Sequence, residues 1–81
     1  MWKNKLKLEE GVTIRLDNKY DKGHLGQEEV ELYLILNIDG EVIGSVQYTD
    51  HTSTKAPFRK SLHLVQREKS GQILVDERWS E

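Results

Sequence analysis

The chain has 81 residues, a formal net charge of −2 and 32% charged residues, with both signs mixed along it. It contains no cysteine, which excludes disulfides and thiolate metal sites, and its three histidines are dispersed. This balance, with no apolar run long enough to span a bilayer, argues against a general nucleic-acid or membrane binder.

The length fits one domain over residues 1–81, with no linker or low-complexity segment. A chain of this size buries roughly 60–65% of its unfolded surface. Such marginal domains commonly gain stability from disulfides, metals or self-association, and here self-association is the device left open. The start, Met1-Trp2-Lys3-Asn4-Lys5, is basic but has no apolar stretch after it, so no signal peptide and a cytoplasmic location are expected.

In chain order, residues 3–8 alternate, with Lys5 and Lys7 on one side and Leu6 and Leu8 on the other. Glu9-Glu10-Gly11 follows, and Val12, Ile14 and Leu16 then alternate with Thr13 and Arg15. A hairpin closed by Gly11 would pair Leu8 with Val12 and Leu6 with Ile14, but would set Lys5 opposite Arg15, which is unfavourable. One long strand with a bulge near Gly11 is the alternative. Trp2 has two readings, an anchor against the core or an interface residue.

Residues 17–27 are polar, carry Gly23 and Gly26, and read as a loop with His24 in solvent. Asp17, Asp21 and Glu28 fall on positions one, five and twelve of a calcium loop. Lys19 and Lys22 occupy the third and sixth positions, where a ligand and a glycine are required, so no metal site is expected. The Gly23-x-x-Gly26 spacing is too short and too lightly basic for a phosphate cradle.

Residues 29–48 hold the strongest signal. Val30, Leu32, Leu34, Leu36 and Ile38 recur at every second position, the mark of a strand with one buried face. An Asp39-Gly40 two-residue turn would pair Leu34 with Ser45 and Leu32 with Gln47. A three-residue loop, Ile38-Asp39-Gly40, instead pairs Leu36 with Val42, Leu34 with Gly44, Leu32 with Val46 and Val30 with Tyr48. Matching of faces selects the longer loop, and Gly44 then marks a bend or a close approach. The second face would carry Tyr33, Ile35 and Ile43. It is either covered by the N-terminal segment or the far wall of a curled sheet, or it is an exposed patch that binds a partner or a second copy.

Residues 49–60 form the next long stretch without periodicity. Asp50, His51 and Ser53 are the residue types of a nucleophile relay, but neighbours in sequence are not a triad in space, and no strand–turn–helix elbow surrounds Ser53. Lys55, Phe58, Arg59 and Lys60 combine charge with a ring suited to stacking on a base, or form the start of a strand with Phe58 plugging the core. Residues 61–68 alternate weakly, and 73–75 resume after Lys69-Ser70-Gly71, so a third hairpin is predicted, with Val65 opposite Val75 and Arg67 opposite Ile73. A helix over residues 61–69, capped by Ser61 and ended at Gly71, competes with it. Trp79 is expected to cover an edge of the core.

Three glycine-closed loops therefore predict an all-β antiparallel meander of five or six strands, curled into a small barrel or two-layer sandwich, with a sheet plus one helix as the alternative. The leading functional expectation is a non-enzymatic interaction module that self-associates or binds a protein through Tyr33, Ile35 and Ile43. Two alternatives stand beside it. One is single-stranded nucleic-acid binding through Lys55, Phe58, Arg59 and Lys60. The other is a small ligand at a barrel mouth or subunit cleft near Tyr48 and Trp79. No cofactor is implied, and no acid–base pair or activated nucleophile converges.

Overall fold

The structure is a computed structural model, and it describes residues 2–23, 27–53, 55–56 and 59–80. A 3-10 turn at Trp2–Lys5 precedes five strands: β1 Thr13–Lys22, β2 Glu28–Leu36, β3 Val42–Thr52, β4 Lys60–Glu68 and β5 Ile73–Ser80. They form one antiparallel sheet in the order β1-β2-β3-β4-β5. The predicted all-β meander is therefore present, and residues 61–68 are strand rather than helix.

The sheet is not closed into a barrel, and among the described residues no second sheet lies against it. β1 and β5 are its two edges. The radius of gyration is 14.0 Å and the extents are 46 × 21 × 20 Å, against about 12 Å expected for a compact domain of this length. A single long layer accounts for the excess. Both edge strands are blunted by charged side chains and by one unpaired residue each, Asp17 in β1 and Leu74 in β5, which discourages edge-to-edge growth.

The predicted N-terminal hairpin does not form. Residues 2–12 lie as an arm over one face of the sheet, with Leu6 and Val12 packed on its core. Lys5, which a hairpin would have set against Arg15, instead reaches Glu77 at 3.4 Å and lies 4.9 Å from the centre of the Trp79 ring. The arm joins β1 through a turn in which the Val12 N–H donates to the Glu9 carbonyl.

β1 runs well into the segment read as a loop, reaching Lys22. An edge strand with both faces wet needs no apolar alternation, so polarity there was no argument against a strand. Charge pairing selects it: Lys19 stands 2.9 Å from Glu29 and 3.8 Å from Glu31. His24 and Gly26 lie outside the described residues.

The two central turns have the predicted form. The Asn37 N–H donates to the Glu41 carbonyl and the Gly40 N–H to the Asn37 carbonyl, with Gly40 at φ 81°. The Asn37 side-chain oxygen also accepts from the Asp39 and Glu41 N–H groups. Glu68, Gly71 and Gln72 repeat the pattern between β4 and β5. Ile38 sits at the turn tip, 84% exposed, and is no part of the strand face.

Beyond these turns the predicted registers slip by one residue. Leu36 pairs with Val42, but Ile35 then pairs with Gly44, Leu34 with Ser45 and Leu32 with Gln47. Ile43 is the extra residue. In the third hairpin Arg67 pairs with Ile73, but Gln66 then pairs with Val75 and Val65 with Asp76, leaving Leu74 over. A one-residue bulge moves every later partner to the other face. Val46 and Tyr48 thus join Tyr33 and Glu31 across the strands, not Leu32 and Val30.

The cause is visible at Gly44. A Cβ there would meet the Arg67 carbonyl oxygen at 2.6 Å and the Ile35 side chain at 3.4 Å. β4 therefore approaches β3 more closely here than any other residue would permit. The core follows from the slip: Trp2, Ile35, Val46, Leu64 and Val75 cluster on the face beneath the arm. That is the face opposite the leucine series on which the sequence pattern centred the core.

Candidate interaction surfaces

The sheet has two faces with different partners. The covered face is built around Trp2, which is 9% exposed. Its ring stacks on Tyr48 at 5.3 Å between centroids and 20° between planes, and tilts against Tyr33 at 5.1 Å and 58°. Trp79 continues the row, 6.4 Å from Tyr48. The Tyr33 hydroxyl donates to Glu31 Oε1 at 2.5 Å. Burial, then this bond to the Glu31 carboxylate, push the Tyr33 phenol up to about 12.

Gln66 ties the arm down. It is 2% exposed, and its side-chain amide holds both backbone groups of one residue. The Lys7 N–H donates to Gln66 Oε1 at 2.8 Å, and Gln66 Nε2 donates to the Lys7 carbonyl at 2.7 Å. A side chain thus does for the arm what a neighbouring strand would do, satisfying polar backbone that would otherwise be costly to cover. Beside it a cavity of about 170 Å³ remains, lined in part by Leu8, Val12, Ile43 and Leu74.

The candidate interface residues are accordingly divided. Ile35 is 3% exposed and Tyr33 half-buried, both used within the chain, while Ile43 is exposed at the bulge. Tyr48 and Trp79, considered for a ligand site at a barrel mouth, lie side by side at the covered face of an open sheet.

Among the described residues no element lies across the other face, and the strands contact chiefly their sheet neighbours. Its centre is the β2 column Val30, Leu32, Leu34 and Leu36. Val30, between its cross-strand partners Tyr20 and Thr49, is enclosed, and Val65 on β4 nearly so. Leu32, Leu34 and Leu36 are partly exposed, and Tyr20, Val42 and Ile73 on the same face are exposed. Toward the far end this face becomes polar. His63 Nε2 lies 2.7 Å from Asp76 Oδ1 and His51 Nδ1 lies 3.5 Å from Glu28 Oε2, in an open groove of about 480 Å³ shared with Thr49, Ser61 and Arg78.

The residues considered for a nucleophile relay do not converge. Asp50 and His51 alternate along β3, so they point to opposite faces of the sheet. Asp50 pairs with Lys60 at 3.6 Å, and the Ser53 hydroxyl closes its own turn, accepting from the Lys55 N–H at 3.2 Å. Of the basic segment, Lys55 and Arg59 are exposed, Lys60 is held by Asp50, and Phe58 lies outside the described residues. Among the described residues no group of three or more His, Asp or Glu could hold a metal ion. Among them, too, no helix is long and apolar enough to cross a membrane.

What the sequence missed on both faces has one origin. The Gln66 clamp and the arm are non-local, and the sole signal was negative: a polar residue at an inward position of β4, flanked by Leu64 and Val65.

The fold and surfaces define a class: a five-stranded antiparallel meander, strapped on one face by its own N-terminal arm and, among the described residues, without a second layer on the other. Compared with protein-family models, curated proteins and solved structures, the chain matches none.

Proposed function

We propose that this chain is a non-enzymatic interaction module that self-associates by stacking the open sheet faces of two copies. The observation behind the reading is the β2 leucine column on a face that carries no second layer among the described residues. A sheet with an apolar face is stable when that face is set against another element. Five strands at about 4.8 Å spacing and about 3.3 Å per residue make a face of roughly 700 Å². That approaches the roughly 800 Å² per partner of a standard specific interface.

Molar mass by light scattering over a wide concentration range tests the reading. The expected result is a dimer that Leu32→Glu or Leu34→Glu converts to a folded monomer. A wild-type chain that stays monomeric at the highest concentration refutes it. Ile35→Glu is not a clean probe, because that side chain lies in the core and its loss would be read as unfolding.

A further inference from the structure

The arm is bound to the sheet in the manner of a ligand. It adds no strand to the sheet. Its attachments are discrete and lie at fixed spacing along the chain. Trp2 fills a slot floored by Tyr33 and Tyr48. Three residues on, Lys5 meets the Glu77 carboxylate and the Trp79 ring. Five residues on from the tryptophan, the backbone of Lys7 is gripped at both polar groups by the Gln66 amide.

None of these contacts requires that the arm belong to the same chain. An aromatic slot, a cation site and a backbone clamp are what a groove for an extended peptide consists of. The connection to β1 also permits separation: Glu9, Glu10 and Gly11 are exposed and form one turn, with Gly11 at φ 83°.

We propose that the groove beneath the arm is a docking site for an extended, tryptophan-bearing peptide, and that in trans its occupant is the arm of a second copy. Exchange of an identical element between protomers keeps every contact and costs little beyond association. In isolation the tethered arm competes at an effective concentration of about millimolar, so the groove is self-occupied until protein concentration is high. This proposal is independent of open-face stacking, because a free peptide carries no sheet face.

The test uses the full chain carrying Trp2→Ala and a synthetic peptide of residues 1–10. The variant's own arm has lost its ring, so the wild-type peptide should bind it and raise its melting temperature in proportion to the logarithm of peptide concentration. A peptide bearing the same Trp2→Ala change should give no shift, and wild-type protein should respond at least tenfold more weakly to the wild-type peptide. An absent shift at millimolar peptide, or equal shifts from the two peptides, overturns the proposal.

If the variant is too unstable to melt cooperatively, hydrogen exchange on the unmodified chain decides. The Lys7 amide should exchange at least tenfold faster than the β3–β4 ladder amides, by arm release without global unfolding. Exchange of Lys7 together with the ladder means that the arm is part of the core and not a ligand, and overturns the proposal.

Discussion

The two faces of this sheet are made from similar numbers of apolar side chains but are finished differently. Beneath the arm, aromatic and branched residues from β2 to β5 converge on one tryptophan, and the polar groups brought in with the arm are met by Gln66. On the open face the longest apolar row runs along one strand, β2, with Ser45, Gln47 and Thr49 beside it on β3 and single apolar residues, Tyr20, Val42, Val65 and Ile73, on the other strands. A column cannot exclude water as a cluster can, since each leucine has polar neighbours on its flank. The comparison teaches that apolar content does not make a core; convergence of several strands on one covering group does. The covered face should therefore govern stability and the open face association.

The largest expected effect is on the covering group itself. Trp2→Ala removes the ring that joins Tyr33, Tyr48 and the core, and should cost about 3–5 kcal/mol in urea denaturation. Against the 4–12 kcal/mol or so typical of a domain of this length, that is a large share. A loss no larger than that of Leu32→Glu would erase the distinction between the faces.

Gly44→Ala should follow, at about 1–3 kcal/mol, because the new methyl must displace the Arg67 backbone rather than a flexible side chain. A gentler outcome, with unchanged folding and unchanged amide shifts along β4, would show that β3 and β4 are not held at that closeness.

Gln66→Leu keeps the volume but strips the clamp, and leaves the Lys7 N–H and carbonyl unmet. A cost of about 1–3 kcal/mol is expected, with faster hydrogen exchange at Lys7 and little change in the turn around Gly40. Equal loosening throughout the molecule would mean that Gln66 supports the sheet and not the arm.

The smallest effect is in alkali. The Tyr33 phenol, pushed up to about 12 from its ordinary 10, keeps its proton in the folded chain while the unfolded chain has begun to lose it. Its contribution to stability is full below about pH 10 and is lost as pH rises toward about 12. Absorbance titration should show a tyrosine step well above the ordinary phenol range. A titration complete within the ordinary phenol range would place Tyr33 in water and weaken the case for a covered face.

Much of the fold is legible in the residues because it is local. The alternation from Val30 to Leu36 is set by the pleat of a single strand. The turns at Gly40 and Gly71 follow from backbone torsions that glycine adopts without strain, helped at the first by the side chain of Asn37. Register is legible at the turns for the same reason, and Leu36 does meet Val42 while Arg67 meets Ile73.

The remainder depends on contacts between residues far apart in the chain. The bulge at Ile43 is tied to Gly44 standing against Arg67, a residue of another hairpin, and no periodicity within residues 29–48 encodes it. Once that slip is made, Val46 and Tyr48 change faces and the core moves with them. The arm is decided in the same way. Residues 3–8 alternate as a strand does, yet they find no ladder; Trp2 finds an aromatic floor and Lys7 finds an amide. The sequence by itself determined the central strand β2 and the tight turns at Gly40 and Gly71, since backbone torsion and side-chain alternation act over a few residues, but not the reach of β1 through Lys22. Which face became the core, and which was left open, was decided by the tertiary structure, because one extra residue in a strand reverses every side chain beyond it.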